Sequence, residues 1–352
     1  MLLQILLSSF KNKQLTNTPN NIIISRTDSI GDVVLTLPVA TVLKKHFPGI
    51  KIAFMGKAYT RPVIEACTSV DLFIDVTDFM TRQVTIFGEK PAAIVHVLPI
   101  LKIAQRAKKL KIPLRIGTTN RIYHWFTCNI LVKLSRKNSL LHEAQLNLKL
   151  LQPLGINRDF SLQEIGNSFA LNRIQPLSKK FIQLIKKDKY NLILHPKSHG
   201  SAREWGLENF IQLIKSVDKS RYRIFVSGTQ KESEHLKPIF DVAKDVINIT
   251  GLFSLDQFIS FISACDGIVA NSTGPLHIAA ALGKDALGIY PPMRPIHPGR
   301  WAPLGPKTQV FVLDKFCTDC KNNKTSCRCI MSIEPLQIKD HLDKTSVREK
   351  LT

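Results

Sequence analysis

The 352-residue chain contains no apolar run long enough to cross a bilayer. A helical span needs about 20 consecutive apolar residues, and the opening stretch MLLQILLSSF falls far short. No basic residue precedes that stretch and no small-residue cleavage site follows it, so it does not read as a secretory signal. It reads as a leader over residues 1–20, or as a short amphipathic element lying on a membrane. The expectation is a cytoplasmic protein that touches a membrane only peripherally. A glycine fingerprint of the G-x-G-x-x-G type is missing after the first apolar run, which argues against a dehydrogenase. Zinc-finger, aromatic RNP and basic-zipper patterns are missing too, so no nucleic-acid partner is expected. Acidic residues are scarce. Against 49 Lys and Arg stand 27 Asp and Glu, a formal net charge of +22. Such a field favours an acidic partner: an anionic membrane surface, a phosphorylated substrate or nucleic acid. Lys102, Arg106, Lys108, Lys109, Lys111 and Arg115 form the densest basic stretch, with Arg121, Lys133, Arg136 and Lys137 beyond it. Solvated helix faces and a docking patch for an anionic surface are both open readings of it.

Hydrophobic content of 44% with 22% charged residues is that of a folded globular chain, long enough for two domains. Of seven cysteines, Cys67, Cys128 and Cys265 stand alone among apolar residues and read as buried and inert. The other four cluster as Cys317-x2-Cys320-x6-Cys327-x-Cys329. They suit a structural zinc, reduced thiols or disulfides, and no histidine close in sequence points to catalysis.

Short β-rich runs alternate with helical periodicity along the whole chain. NIIIS at 21–25, IKIAFMG at 50–56, DLFIDV, AAIVHVLP and LRIGT read as strands. Val33 to Phe47, RPVIEAC and LKIAQRAKKL read as helices, and residues 120–154 as helical in pattern. A polar passage at 156–177 reads as the linker, after which the alternation restarts. YNLILHP, YRIFVSG, VINIT, GIVANS and ALGIYPP are the strands of the second half, the last of them ending its sheet. WGLENFIQLIKSV, SLDQFISFISAC with Ser254 as N-cap, and TGPLHIAAALG closed by Gly283 are its helices. This order implies two similar α/β halves with parallel sheets. Ligands of such sheets bind at the carboxyl ends of the strands.

The polar loops fall at those ends. Ser25-Arg26-Thr27-Asp28-Ser29-Ile30-Gly31-Asp32 follows the first strand; Gly31 reads as the residue of a tight turn and close ligand approach, and Asp32 as a helix cap or a functional carboxylate. HPKSHGSAREWG offers Lys197, Ser198, Ser201 and Arg203 to an anion, with Trp205 as a packing residue. Glu232 is either a ribose ligand or a surface carboxylate. In NSTGPLHIAAALG, Thr273 and Gly274 open a helix, Pro275 suits its first turn, and His277 lies inside that turn. Amides, dipole, hydroxyls and an imidazole converge there, the composition of a phosphate site.

In order, SRTDSIGDVVLTLPVATVLKKHFP, LILHPKSHGSAREWGLENFIQLI, NITGLFSLDQFISFISACDGIVANSTGPLHIAAALG and the following Tyr-Pro-Pro resemble the lipopolysaccharide heptosyltransferases, glycosyltransferase family nine. The likeness runs from about residue 21 to 315. It implies the GT-B fold, two Rossmann-like domains facing across a cleft: an acceptor-side domain at 21–170, a nucleotide-sugar domain at 171–315, and a Cys-rich tail with a C-terminal helix at 316–352. It implies transfer of heptose from ADP-heptose to an anionic lipid A–core acceptor with inversion, without a required metal, at the cytoplasmic face of the inner membrane.

By position it makes Asp32 the general base, with Gly31 and Arg26 as its catalytic neighbours and Arg26 facing the acceptor or the leaving phosphate. Ser198, Arg203, Glu232, Ser272, Thr273, Gly274 and His277 become donor residues, and Arg61 an acceptor residue. Two departures stand out. Ser272 replaces a carboxylate common in that family, and MRPIHPGRWAPLG adds Arg294, His297 and Arg300. Three readings follow: a heptosyltransferase; a GT-B transferase using another nucleotide sugar in surface-polysaccharide assembly; and a non-catalytic nucleotide- or nucleic-acid-binding protein.

Overall fold

A computed structural model describes residues 18–137, 139–313 and 328–348. The chain forms two compact units, divided between Ala170 and Leu171, except that Ser29–Val34 belongs by its contacts to the second.

The first unit is built on strands β1 (Asn21–Ser25), β2 (Lys51–Gly56), β3 (Leu72–Asp75), β4 (Ala93–His96), β5 (Leu114–Thr118) and β6 (Ile130–Val132). They form one sheet in the order β3-β2-β1-β4-β5-β6, parallel throughout. Ile22, Ile23 and Ile24 have no exposed surface, because helices cover both faces and a central parallel strand has no wet side. The strand order reverses between β1 and β4, so the crevice between their carboxyl ends is the natural binding position of this unit.

The second unit repeats the plan. Strands β7 (Tyr190–His195), β8 (Tyr222–Val226), β9 (Ile247–Asn248), β10 (Gly267–Asn271), β11 (Asp285–Ile289) and β12 (Thr308–Phe311) lie in the order β12-β11-β10-β7-β8-β9. Its reversal falls between β7 and β10. One hydrophobic core joins Leu192, Leu194, Trp205, Phe210 and Val226 to Cys329, Ile330, Ile333, Ile338 and Leu342. The C-terminal helix Pro335–Arg348 is thus part of this unit's packing.

Three details depart from the pattern reading. The stretch 120–154 is not helical throughout: β6 interrupts it, with Ile130 opposite Ile116 and Val132 opposite Thr118. Three residues are too few to display a period of two. The second sheet does not end with ALGIYPP, because β12 adds a parallel edge beside β11. The helix read from Val33 to Phe47 is two, Ile30–Val34 and Leu37–His46, with Pro38 at the start of the second. Proline carries no N–H and disfavours helical geometry in the residue before it, so the helix restarts. That break is where the chain passes from the second unit back to the first.

Candidate active site

In the second unit, Asn271 ends β10 and has no exposed surface. Its amide Nδ2 donates to the Pro196 carbonyl at 2.7 Å, and its Oδ1 accepts the Trp205 N–H at 2.9 Å. One side chain thereby pins both ends of the loop that follows β7. Trp205 is fully buried, packs edge-on against Phe210 and donates Nε1–H to the Ile333 carbonyl at 2.8 Å. Asn271→Ala leaves a buried N–H and a buried C=O without their partner. Each such loss costs about 1–3 kcal/mol, so the expected result is a lower Tm, by about 2–4 °C per kcal/mol in a domain of this size. Differential scanning calorimetry checks it, and an unchanged Tm removes the clip.

Glu204 organises the loop from within. Its carboxylate accepts the Ser198 N–H at 3.0 Å and the Ser198 hydroxyl at 3.1 Å, and pairs with Lys197. Ser198 is therefore buried and oriented. Glu232 does the same for the loop after β8. It accepts the Thr229 N–H at 2.8 Å, the Thr229 hydroxyl at 2.9 Å and the His199 N–H at 3.2 Å. Burial pushes its pKa up, but those hydrogen bonds and nearby His195 outweigh burial, and the net shift is downward. His195 itself is lowered to about 4 by desolvation, against the upward pull of Glu232 and Glu204, so it is neutral at pH 7.

After β10 comes the helix Gly274–Ala281, with Thr273 as its N-cap. Thr273 does not cap in the usual way: its side chain makes no cap hydrogen bond. Its Oγ1 is buried, and among the described residues nothing hydrogen-bonds to it. Buried hydroxyls are nearly always satisfied. His277, one turn in, is also buried. Gly283 closes the element with φ of 72°, the left-handed geometry that favours glycine. Ser272 hydrogen-bonds Tyr290, whose own hydroxyl donates to the Trp301 carbonyl at 2.6 Å.

The short helix Ile30–Val34 lies against Gly274–Ala281 within this unit. Two glycines permit the approach. A Cβ on Gly31 would sit 2.9 Å from His277 Cδ2, and one on Gly274 would sit 2.8 Å from Ile30 Cβ. Gly31 is therefore not the residue of a tight turn, as the loop suggested. It is helical, and the His277 ring occupies the space its side chain would fill. Asp32 follows directly, half-buried in the helix's first turn, and accepts a hydrogen bond from the Ser29 hydroxyl.

In the first unit, Arg26 is buried. Its Nε donates to Asp28 Oδ1 at 2.7 Å and its Nη1 to Glu143 Oε1 at 3.0 Å. Arg136 Nε donates to the same Glu143 oxygen at 2.9 Å. The guanidinium of Arg26 thus braces the loop after β1. Arg61 is half exposed, 4.5 Å from the Phe73 ring centroid, with Glu65 Oε1 at 3.6 Å. Ser25 and His96 face each other in register at the ends of β1 and β4. Among the described residues, the Ser25 hydroxyl and both His96 ring nitrogens have no hydrogen-bond partner. Burial, with His124 and Arg115 nearby, lowers the His96 pKa to about 3, so it is neutral.

The structure thus gathers Gly31, Asp32, Ser198, Arg203, Glu232, Ser272, Thr273, Gly274 and His277 in one unit, and Arg26 and Arg61 in the other. Asn271, Glu204 and Glu143 were not singled out from sequence; their importance lies in the partners that folding brings to them, and no local signal marks them. Cys67, Cys128 and Cys265 are buried, and burial raises the Cys128 thiol to about 11, away from the reactive thiolate. Of the four-cysteine cluster, Cys317, Cys320 and Cys327 lie outside the described residues, while Cys329 is buried in the second core. Among the described residues no helix is long and apolar enough to cross a membrane.

A sequence profile of glycosyltransferase family 9 (heptosyltransferase) matches residues 95–331. The lipooligosaccharide heptosyltransferase 2 of Campylobacter jejuni (serotype O:6) is 22% identical, over 90% of this chain and 96% of its own length. Among solved structures, a family 9 glycosyl transferase from Veillonella parvula superposes with a TM-score of 0.76 at 18% identity, covering 96% of this chain and 100% of that one. The E. coli ADP-heptose lipopolysaccharide heptosyltransferase II superposes with a TM-score of 0.71 at 19% identity, covering 94% of this chain and 99% of its own. The fold shared with them is GT-B.

Proposed function

Because the chain belongs to glycosyltransferase family 9, the heptosyltransferase family, we propose that it is an inverting transferase that moves heptose from ADP-heptose onto a lipid A–core acceptor of lipopolysaccharide. The observation that carries this reading is the buried Thr273 hydroxyl without a protein partner among the described residues, at the N-terminus of Gly274–Ala281 and at the sheet's reversal point. A helix N-terminus at a parallel sheet's switch point presents N–H groups and a positive dipole end to a diphosphate. Thr273, Gly274 and His277 hold that diphosphate. Arg203 adds a cation, Ser198 adds its hydroxyl by turning its proton from Glu204 to the diphosphate, and Glu232 takes the ribose hydroxyls. Arg61 faces the acceptor, and Arg26 keeps the loop before Asp32 in place.

The reaction is a single displacement. Asp32 accepts the proton of an acceptor hydroxyl as its oxygen bonds to the anomeric carbon. The bond from that carbon to the diphosphate oxygen breaks on the opposite face, which inverts the configuration. The helix N-terminus and Arg203 stabilise the charge that develops on the leaving diphosphate. The chain's own cations and amides serve here, so turnover in the presence of a chelator is part of the proposal. The place of work is the cytoplasmic face of the inner membrane, where the anionic acceptor matches the net charge of +22.

Ser272 supports a second reading that keeps the site and changes the sugar. It stands where the resemblance leads one to look for a carboxylate, and its hydroxyl engages Tyr290. A thermal-shift panel of ADP-heptose, other ADP-, UDP-, GDP- and dTDP-sugars and the free diphosphates separates the two. A ligand at about 100 times its Kd adds about 2.7 kcal/mol to stability. Shifts confined to ADP compounds are expected. A shift with a different base moves the enzyme to another sugar pathway, and no shift with any nucleotide overturns the transferase reading.

A further inference from the structure

Residues 91–142 contain ten Lys and Arg and not one Asp or Glu. A surface helix normally mixes both signs, so a one-signed run this long is informative about partners. Some of that charge braces the fold: Arg106 donates to the Phe79 and Arg82 carbonyls, and Arg115 to the Thr127 carbonyl. Lys102, Lys109, Lys111 and Arg121 are exposed, and none of the described acids makes an ion pair with them among the pairs the structure shows.

The same surface exposes large apolar side chains. In the helix Ile122–Thr127, Ile122 is 80% exposed and Phe126 is 70% exposed. They are four residues apart, hence on one side of the helix. The helix Leu101–Lys109 packs beside it and exposes Leu101. Lys108 Nζ donates to the Phe126 carbonyl at 2.8 Å, which ties the basic helix to the apolar one. The inward side of the short helix is anchored: His124 is buried, its Nδ1 accepting the Thr118 N–H at 2.9 Å, and Trp125 donates to the Thr119 carbonyl at 3.0 Å. A seated helix thus turns Ile122 and Phe126 outward, with Arg121 at its start and Lys102 and Lys109 on the helix packed beside it.

We propose that this face docks on an anionic lipid bilayer, with Ile122 and Phe126 entering the headgroup boundary and Lys102, Lys109, Lys111 and Arg121 over the lipid phosphates. Amphipathic surfaces with apolar tips and basic flanks bind membranes in this way, through apolar burial and charge acting together. A nucleic acid would use the same cations but has no use for an exposed isoleucine, and a neutral protein partner would have no use for the cations. The inference is read by lipid binding, independent of the donor and acceptor proposed above.

The test is co-sedimentation of the full chain with phosphatidylglycerol-containing vesicles and with pure phosphatidylcholine vesicles. Binding to the anionic vesicles, weakened by salt, is expected. The pair Ile122→Asp and Phe126→Asp is expected to lower vesicle affinity at least about tenfold, since each puts a charge where an apolar tip was. Because both side chains already face water, the thermal shift with donor is expected to stay unchanged in that variant, which also reports that it folds. Equal binding to neutral vesicles, full binding by the double variant, or capture of an RNA oligonucleotide in place of vesicles each overturns the proposal. A missing donor shift with intact vesicle binding would sink the transferase reading alone.

Discussion

Asp32→Asn is expected to lower kcat by about 10²–10⁴-fold, the range that one positioned general base supplies, with donor affinity unchanged. The substitution suits the question because it is nearly isosteric. The amide oxygen still accepts from the Ser29 hydroxyl, as the carboxylate does. It still stands in the first turn of Ile30–Val34. What it loses is the basic carboxylate oxygen to which the proposed mechanism assigns the acceptor's proton. Release of the nucleoside diphosphate, followed with saturating donor and acceptor, gives kcat; isothermal titration gives donor affinity. A loss of donor binding with little loss of kcat would reassign Asp32 to the donor. Full activity would remove it from the chemistry.

The second large effect is expected at Gly274, a residue with no side chain to titrate. A Cβ there lies 2.8 Å from both Cβ and Cγ2 of Ile30, closer than two carbons can approach. Gly274→Val therefore pushes Ile30–Val34 off Gly274–Ala281. Overpacking of this kind costs about 1–3 kcal/mol. The functional loss is larger, because the displaced helix carries Asp32, and about 1 Å of misplacement can cost about 10²-fold in rate. Gly274→Ala paired with Ile30→Gly moves the missing Cβ from one helix to the other. That pair is expected to recover much of kcat relative to Gly274→Ala alone. No recovery would mean that Gly274 matters for its amide beside the ligand and not for the helix contact.

Much of the architecture was legible because parallel α/β units write themselves locally. NIIIS and YNLILH are apolar without alternation, since a central strand is covered on both faces. Ser254 begins its helix through a reciprocal hydrogen-bonded cap with Gln257, three residues away. The break at Leu35–Thr36 was also written in the chain, in Pro38, and was obscured by the apolar run around it. Edge strands were the weak point. β6 has three residues and β12 four, and a strand at a sheet edge needs neither full burial nor strict alternation.

The site divides along the same line. Residues whose placement depends on their own loop could be read from the sequence: Asp32 at a helix start, and Thr273, Gly274 and His277 around another. Residues whose role depends on a distant partner could not. Asn271 reads as a member of a polar knot, yet its work is to hold Pro196 and Trp205, some seventy positions earlier. Glu143 lies 117 positions from Arg26. Gly31 is a glycine because of an imidazole at position 277. Periodicity, caps and turn chemistry act over a few residues, so the sequence by itself determined two α/β halves, the loops at their strand ends and the charge of the surface. Which side chains brace those loops, and that Asp32 rides on a helix packed against the Thr273–Gly274 knot, only the tertiary structure decided. Such contacts join residues that the chain separates by tens or hundreds of positions, and close packing alone sets which of them meet.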